Sequence, residues 1–452
     1  MLLSCNNTKK VDVTPSFSGA EGEVKLAVLA PGHFHASLLQ KNSIPQLNDT
    51  VYLFAPESVE IDQYIENVQS FNNREADPTS WNLILYKGDD YLKKFSEDKN
   101  VNVVVLAGNN RNKTEYILTA VNSGKNVISD KPMAINSKDF LLLETAYKNA
   151  DSLGLYIYDL MTERYDLLNI IEKELINDLE FFGGLQKGTR EVPAVFMKSI
   201  HHFYKEVSGV PLKRPQWYYD VEQQGEGISD VTTHLIDQLF WKCFPEESIN
   251  RNSDIGEINA LHWPTEISLD KYSLSTGAEY FPEYLQENIE ENILKVNANG
   301  IIEFDVKGHY VKFEVLWNFQ APEGGGDTFN SFVRGNKAII KTVQDSKQNY
   351  IKQLYVLKPE GIESKVFAEN IQRAIENIQT KYDFVSYSKT SNYDEYMIDI
   401  PVQFRDGHES HFSYVVEKFF DFLVKKDMPE WEKINTLTKY FITTKAVEVA
   451  NE

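Results

Sequence analysis

Val103-Val104-Val105-Leu106-Ala107-Gly108-Asn109-Asn110 opens a stretch that closes on Gly124-Lys125-Asn126-Val127-Ile128-Ser129-Asp130-Lys131-Pro132-Met133-Ala134, and its order decides the fold. The first four residues are apolar without alternation, the pattern of a strand covered on both faces. Residues 114–123 read as a helix stopped by Gly124, and residues 126–128 as the next strand. Strand, helix and strand in that order make a βαβ unit with parallel strands. The pattern extends both ways. Upstream, residues 25–30 are an apolar run ending at Pro31-Gly32, a helical segment starts at His35, and residues 51–54 form another strand. Downstream, residues 138–149 are helical and residues 155–158 strand-like. The alternation predicts an α/β domain over 24–158, built on a doubly wound parallel sheet.

After residue 158 the pattern changes. Residues 168–179 read as a helix, followed by Gly183-Gly184 and a loop-rich tract through Trp217; a helix covers 228–240. Strand-like runs then dominate, at 293–296, 301–306, 311–319, 331–333, 338–341, 350–357 and 397–404, with helices at 365–378 and 411–424. Several antiparallel strands with helices on one side predict an α+β domain over 159–452.

A chain of 452 residues exceeds the usual single core, which agrees with two domains. The net charge is −21, so the surface repels phosphate backbones, and no nucleic-acid partner is expected. Two cysteines, Cys5 and Cys243, exclude a disulfide framework or a cysteine-rich metal site. Cys243 follows an apolar helical run and reads as a buried small hydrophobe. Leu2-Leu3-Ser4-Cys5 is similar to a bacterial lipobox, with residues 6–23 as a polar tether. The apolar segment of a signal peptide, roughly 7–15 residues, does not precede it. The expectation is an exported protein, held to a membrane only by a lipid on Cys5; a chance match would leave it cytoplasmic.

If the first strand–turn–helix holds a dinucleotide, the turn Ala30-Pro31-Gly32-His33-Phe34-His35 must receive the phosphates. Of the three glycines usual in such a turn only Gly32 is present. His33 and His35 suggest a metal pair, but no third ligand is indicated nearby, so no metal is expected. Glu57, slightly beyond the second strand, is the acid for the adenosine ribose. With no Lys or Arg beside it, the balance leans to NAD, with NADP left open.

The segment from Gly124 to Ala134 resembles the "GKHVLCEKPLA" motif of the glucose–fructose oxidoreductase/inositol dehydrogenase/MocA (Gfo/Idh/MocA) family, with Asp130 in place of the usual Glu. A second match, Gly225-Glu226-Gly227-Ile228-Ser229-Asp230-Val231-Thr232-Thr233-His234-Leu235-Ile236-Asp237, is similar to the family's "GGG-x-x-x-D-x-G-x-H-x-x-D" segment. The resemblance covers about the first 240 residues. It implies a Rossmann domain followed by an open-faced sheet domain, with cofactor contacts from Ala30, Gly32, His33, Phe34, His35, Glu57, Ala107, Asn109, Asn110, Asp130, Lys131 and Pro132. It also implies a sugar or cyclitol substrate and a homo-oligomer. Lys131 is placed against the nicotinamide and the substrate hydroxyl. Asp230 and His234 stand four apart on one helix face, as acid/base work needs. Asp237 reads as structural. Substrate candidates are Arg164, Trp217, Tyr219 and, from the loop Arg405-Asp406-Gly407-His408-Glu409, His408.

The reading is therefore hydride transfer from a secondary alcohol of a sugar, glycoside or cyclitol to NAD. Lys131 or His234 takes the hydroxyl proton and Asp230 fixes the pair. Export would require a tightly held cofactor. That keeps a second reading open, an NAD-dependent redox-neutral glycosidase working by oxidation, elimination and addition. A third is a degenerate, non-catalytic sugar-binding lipoprotein.

Overall fold

The computed structural model describes residues 17–207 and 210–452. Cys5 and the rest of the lipobox-like start lie outside the described residues. The chain forms two compact units. Unit 1 takes the chain as far as Met133, then Leu141–Leu160 and Val416–Met428; unit 2 holds Ala134–Phe140, Met161–Val415 and Pro429–Glu452.

Unit 1 is wound on six strands, β1 (Leu26–Leu29), β2 (Thr50–Ala55), β3 (Asn82–Lys87), β4 (Val103–Leu106), β5 (Asn126–Ser129) and β6 (Ile157–Asp159). They lie in the order β3-β2-β1-β4-β5-β6 with every pairing parallel. Between them run α1 (His35–Leu38), α2 (Val59–Asn73), α3 (Tyr91–Glu97), α4 (Lys113–Asn122) and α5 (Ser137–Leu153). The four residues of each of β1, β4 and β5 are buried, which is why their sequences carry no alternation. The order reverses at β1/β4, and in open sheets ligands bind outside the carboxyl ends of the strands at such a point.

Unit 2 opens with α6 (Leu167–Asn177), α7 (Leu179–Phe182) and β7 (Val195–Tyr204). A small pair, β8 (Glu206–Val207) and β9 (Val210–Pro211), precedes α8 (Val221–Gln224), α9 (Gly227–Asp230) and α10 (Thr232–Cys243). Then come β10 (Asn259–Ser268), α11 (Leu269–Thr276), β11 (Ile289–Glu290), β12 (Ile293–Val306), β13 (His309–Gln320), β14 (Thr328–Arg334), β15 (Ile339–Gln344) and β16 (Gln353–Leu357). The chain closes with α12 (Ser364–Gln379), β17 (Ser386–Lys389), β18 (Glu395–Asp399), α13 (His408–Lys425) and α14 (Glu430–Ala450). The ten-stranded sheet runs β10-β12-β13-β7-β14-β15-β16-β18-β17, with β11 on β12; only β13 and β7 pair in parallel. Its core gathers Val195, Met197, Phe304, Phe313, Val333 and Ile340 against Leu175, Leu235 and Ile371 of the helices.

Several elements differ from the sequence reading. The helix expected from His35 is a single turn. The strands read at 293–296 and 301–306 are one strand, β12. The tract read as loop-rich contains β7, a central strand of the sheet. Val416–Met428 joins unit 1, where Phe419 stacks on Tyr158 with ring centres 5.6 Å apart. Cys243 is partly buried, and burial pushes its thiol up to about 12. Among the described residues no helix is long and apolar enough to cross a membrane.

Candidate active site

In unit 1 the site is built on strand ends. The turn after β1 holds Ala30 at φ 45°, in the left-handed region that glycine usually supplies. The N–H groups of Gly32 and His33 donate to the Ala107 carbonyl at 3.0 and 3.2 Å, tying the turn to the end of β4. Gly108 makes this approach feasible: a β-carbon there would stand 2.5 Å from Ala30 O and 2.8 Å from Gly32 N. Gly108 was not singled out from sequence, although it lies inside the quoted stretch.

One residue past β5, the Asp130 N–H donates to Leu106 O at 2.7 Å, carrying the β4/β5 register into the turn. Asp130 Oδ1 accepts the Lys131 main-chain N–H at 2.9 Å, and its carbonyl accepts from buried Lys113 Nζ at 3.1 Å. Its Oδ2 faces His35 Nδ1 at 2.9 Å and His33 Nδ1 at 3.5 Å. Burial alone would raise the Asp130 carboxyl; the charge and hydrogen bond of His35, then His33 and Lys113, hold it well below the usual carboxylate range. His33 is pulled well below the usual imidazole range, first by desolvation and then by His35. The Lys131–Pro132 bond is cis. The sequence reading found no third ligand beside His33 and His35; the structure brings in Asp130, because β1 and β5 end on the same edge of the parallel sheet.

The other expected cofactor residues of unit 1 distribute unevenly. Ala107 and Asn110 are buried, Asn109 accepts the Arg111 N–H at 3.0 Å, and Phe34 is half exposed beside His33. Glu57 is exposed beyond β2. These residues fit a dinucleotide: the backbone cradle at Gly108 would be filled by any β-carbon, and an acid stands past β2 for the ribose.

Unit 2 carries its own cluster. Asp230 closes α9 and His234 lies in the first turn of α10, after a break at Val231. Asp230 is buried and its carbonyl accepts from Thr233 Oγ1 at 2.7 Å, while His234 is half-buried with Nδ1 out of solvent. Gly227 lets α9 lie on β12, since a β-carbon there would stand 1.8 Å from Ala298 O. Asp237, read as structural, receives both Nε and Nη2 of Arg164 at 2.7 Å and Lys439 at 3.2 Å. Arg164 also binds Glu432 at 2.8 Å, so this proposed substrate contact serves an internal ion network. Tyr219 is buried, its hydroxyl on Ser275 Oγ; Trp217 is partly buried beside Tyr218. His408 begins α13, and its side chain lies outside the described residues.

A group missed from sequence sits at the end of β7. Asp327 pairs with His201 at 3.3 Å, with His202 at 3.1 Å and with Lys205. Burial would raise the Asp327 carboxyl, but the hydrogen bonds from His201 and His202 hold it far below its usual value. His201 stacks on Trp317 at 5.0 Å, and Arg214 lies over Tyr218 at 4.4 Å. Desolvation raises the Tyr218 phenol; the Arg214 charge opposes this, and Asp230 and Asp327 add smaller upward contributions. The only advance signal was Asp327 closing Gly324-Gly325-Gly326.

A parallel sheet in this order, a close-packed turn after β1 and an acid–lysine–proline turn after β5 define a dinucleotide-binding oxidoreductase. Residues 44–155 match the family model described as "Oxidoreductase family, NAD-binding Rossmann fold", that of Gfo/Idh/MocA, and residues 171–451 match "Putative oxidoreductase C terminal domain". The chain belongs to the Gfo/Idh/MocA oxidoreductase family and is an NAD-dependent oxidoreductase. A solved protein from Parabacteroides merdae ATCC 43184, described as a "putative oxidoreductase", is 42% identical with a TM-score of 0.95, over 97% of this chain and 99% of that one. Levoglucosan dehydrogenase, solved with NADH and levoglucosan, is 13% identical with a TM-score of 0.57, over 95% of this chain and 97% of that one. GenD2 from gentamicin A biosynthesis, solved with NAD, is 12% identical with a TM-score of 0.57, over 97% of each chain. At these identities the last two share the fold. No curated protein matches the sequence.

Proposed function

We propose that the protein oxidises a secondary alcohol of a sugar, glycoside or cyclitol, with Lys131 and His234 handling the hydroxyl proton. The observation that carries the reading is the turn after β5: Asp130 is fixed by His35 and by the Lys131 N–H, so the backbone at Lys131 is set by the sheet. The family membership and the levoglucosan bound by one dehydrogenase of the same fold support a carbohydrate-like substrate.

NAD, when bound, supplies the hydride acceptor. The Ala30–His35 turn and Gly108 would hold its diphosphate, and Glu57 its adenosine ribose. Lys131 Nζ orients the alcohol oxygen, and the His234 imidazole accepts the hydroxyl proton as hydride leaves. Asp230, buried four residues before His234, is the carboxylate that would orient the pair. Export with a lipid on Cys5 and homo-oligomerisation belong to the same proposal.

The test is an acid quench of purified protein with mass spectrometry of the released nucleotide, followed by NADH formation over a panel of sugars and cyclitols. Turnover with accumulating NADH supports the dehydrogenase. Stoichiometric bound nucleotide with glycoside cleavage and no net NADH replaces it with the redox-neutral glycosidase. Protein that neither carries nor binds NAD sinks both.

A further inference from the structure

His33, His35 and Asp130 offer one ligand atom each within 4.8 Å of one another. Both imidazoles turn Nδ1 toward the same oxygen, Asp130 Oδ2, while Oδ1 is taken by the Lys131 N–H. The His35 main-chain N–H points at His33 Nδ1 at 3.4 Å, which makes that nitrogen a lone-pair acceptor. A lone pair and a carboxylate oxygen 3.5 Å apart repel each other, and a cation between them turns the repulsion into attraction. Tetrahedral zinc with bonds of about 2.0–2.1 Å spaces its ligand atoms by roughly 3.3 Å, the scale of the separations found here.

We propose that His33, His35 and Asp130 form a binding site for a divalent transition-metal ion of the zinc type. Two imidazoles and a carboxylate suit zinc and its first-row neighbours; magnesium and calcium favour oxygen ligands alone. Three protein ligands leave a coordination position open. Lys113 and Lys131 lie within electrostatic reach of His33 and oppose a cation, so the site is weaker than a closed structural zinc site. Lys113 Nζ donates to the Asp130 carbonyl at 3.1 Å, and its charge also acts on the Asp130 carboxylate. The inference does not depend on the substrate proposed above.

The full chain, stripped with chelator and dialysed, is titrated with Zn2+ by calorimetry, and separately with Co2+ while its visible absorption is followed. One equivalent should bind, with the intense bands of a low-coordinate Co2+ site. His33→Ala and Asp130→Asn should each weaken binding by about tenfold or more. His33 is partly exposed, so His33→Ala keeps its fold, and its melting temperature checks this. No saturable uptake, or uptake unchanged in His33→Ala, overturns the proposal. So does loss of uptake in His201→Ala alone, which would move the metal to the Asp327 cluster. NAD titration of the stripped protein reports on the cofactor whether or not Zn2+ binds, so failure of one reading is distinguishable from failure of the other.

Discussion

A β-carbon on Gly108 would stand 2.5 Å from the Ala30 carbonyl oxygen, so the ends of β1 and β4 meet backbone to backbone. Gly108→Ala must push the turn aside. NAD affinity should fall by about tenfold or more, equivalent to ~1.4 kcal/mol, with a lower melting temperature. Unchanged affinity in a fluorescence titration would remove the turn from the cofactor site.

Ala30 is held at φ 45°, where an L-residue is strained. Ala30→Gly relieves about 1–2 kcal/mol of that strain and returns part of it as unfolded-state entropy. A net gain of roughly 0.5–1 kcal/mol is expected in chemical denaturation. A loss of stability would mean that the Ala30 methyl packs in a way that outweighs its strain.

Lys131→Met should abolish turnover while NAD binding stays measurable, because the turn is set by Asp130 and by main-chain bonds rather than by the lysine side chain. Turnover at the wild-type rate would sink the assignment.

Asp237 gives a pH prediction. Burial would raise its carboxyl, but Arg164 and then Lys439 lower it to about 2. An unfolded aspartate titrates near ~3.9. The depressed folded value means the carboxylate stabilises fully above that pH, and the contribution, about 2 kcal/mol, is lost as pH falls towards 2. Asp237→Asn should remove this acid dependence and cost about 3 kcal/mol or more at neutral pH, because Arg164 and Lys439 lose a buried counter-charge. A flat wild-type stability between pH 5 and 2 (roughly, the window of a shifted carboxylate) would refute the account.

What sequence reveals depends on what each element buries. β1, β4 and β5 are covered on both faces, so their apolar runs are unmistakable. β3 escaped notice because Ile84 and Leu85 sit exposed on the sheet edge. β7 escaped because a central strand carries Lys198, Ser199, His201 and His202, breaking any apolar run. α14 buries Asn435, Thr436, Thr438, Lys439, Thr443 and Thr444, so no apolar stripe marks it. The site followed the same rule. Asp130, Lys131, Asp230 and His234 stand in contiguous motifs and could be proposed from sequence. The Asp327 cluster could not, since His202 and Asp327 meet across 125 residues, nor could the convergence of His35 and Asp130 across 95.

The return of Val416–Met428 to unit 1 has a consequence for how the protein is made. Tyr158 is buried against Phe419 and Phe422, side chains that are made long after it. During synthesis the nucleotide-binding unit waits, with an aromatic surface uncovered, until residues 416–428 have been made. A fragment cut after residue 160 would keep all six strands and still lack the segment that closes them.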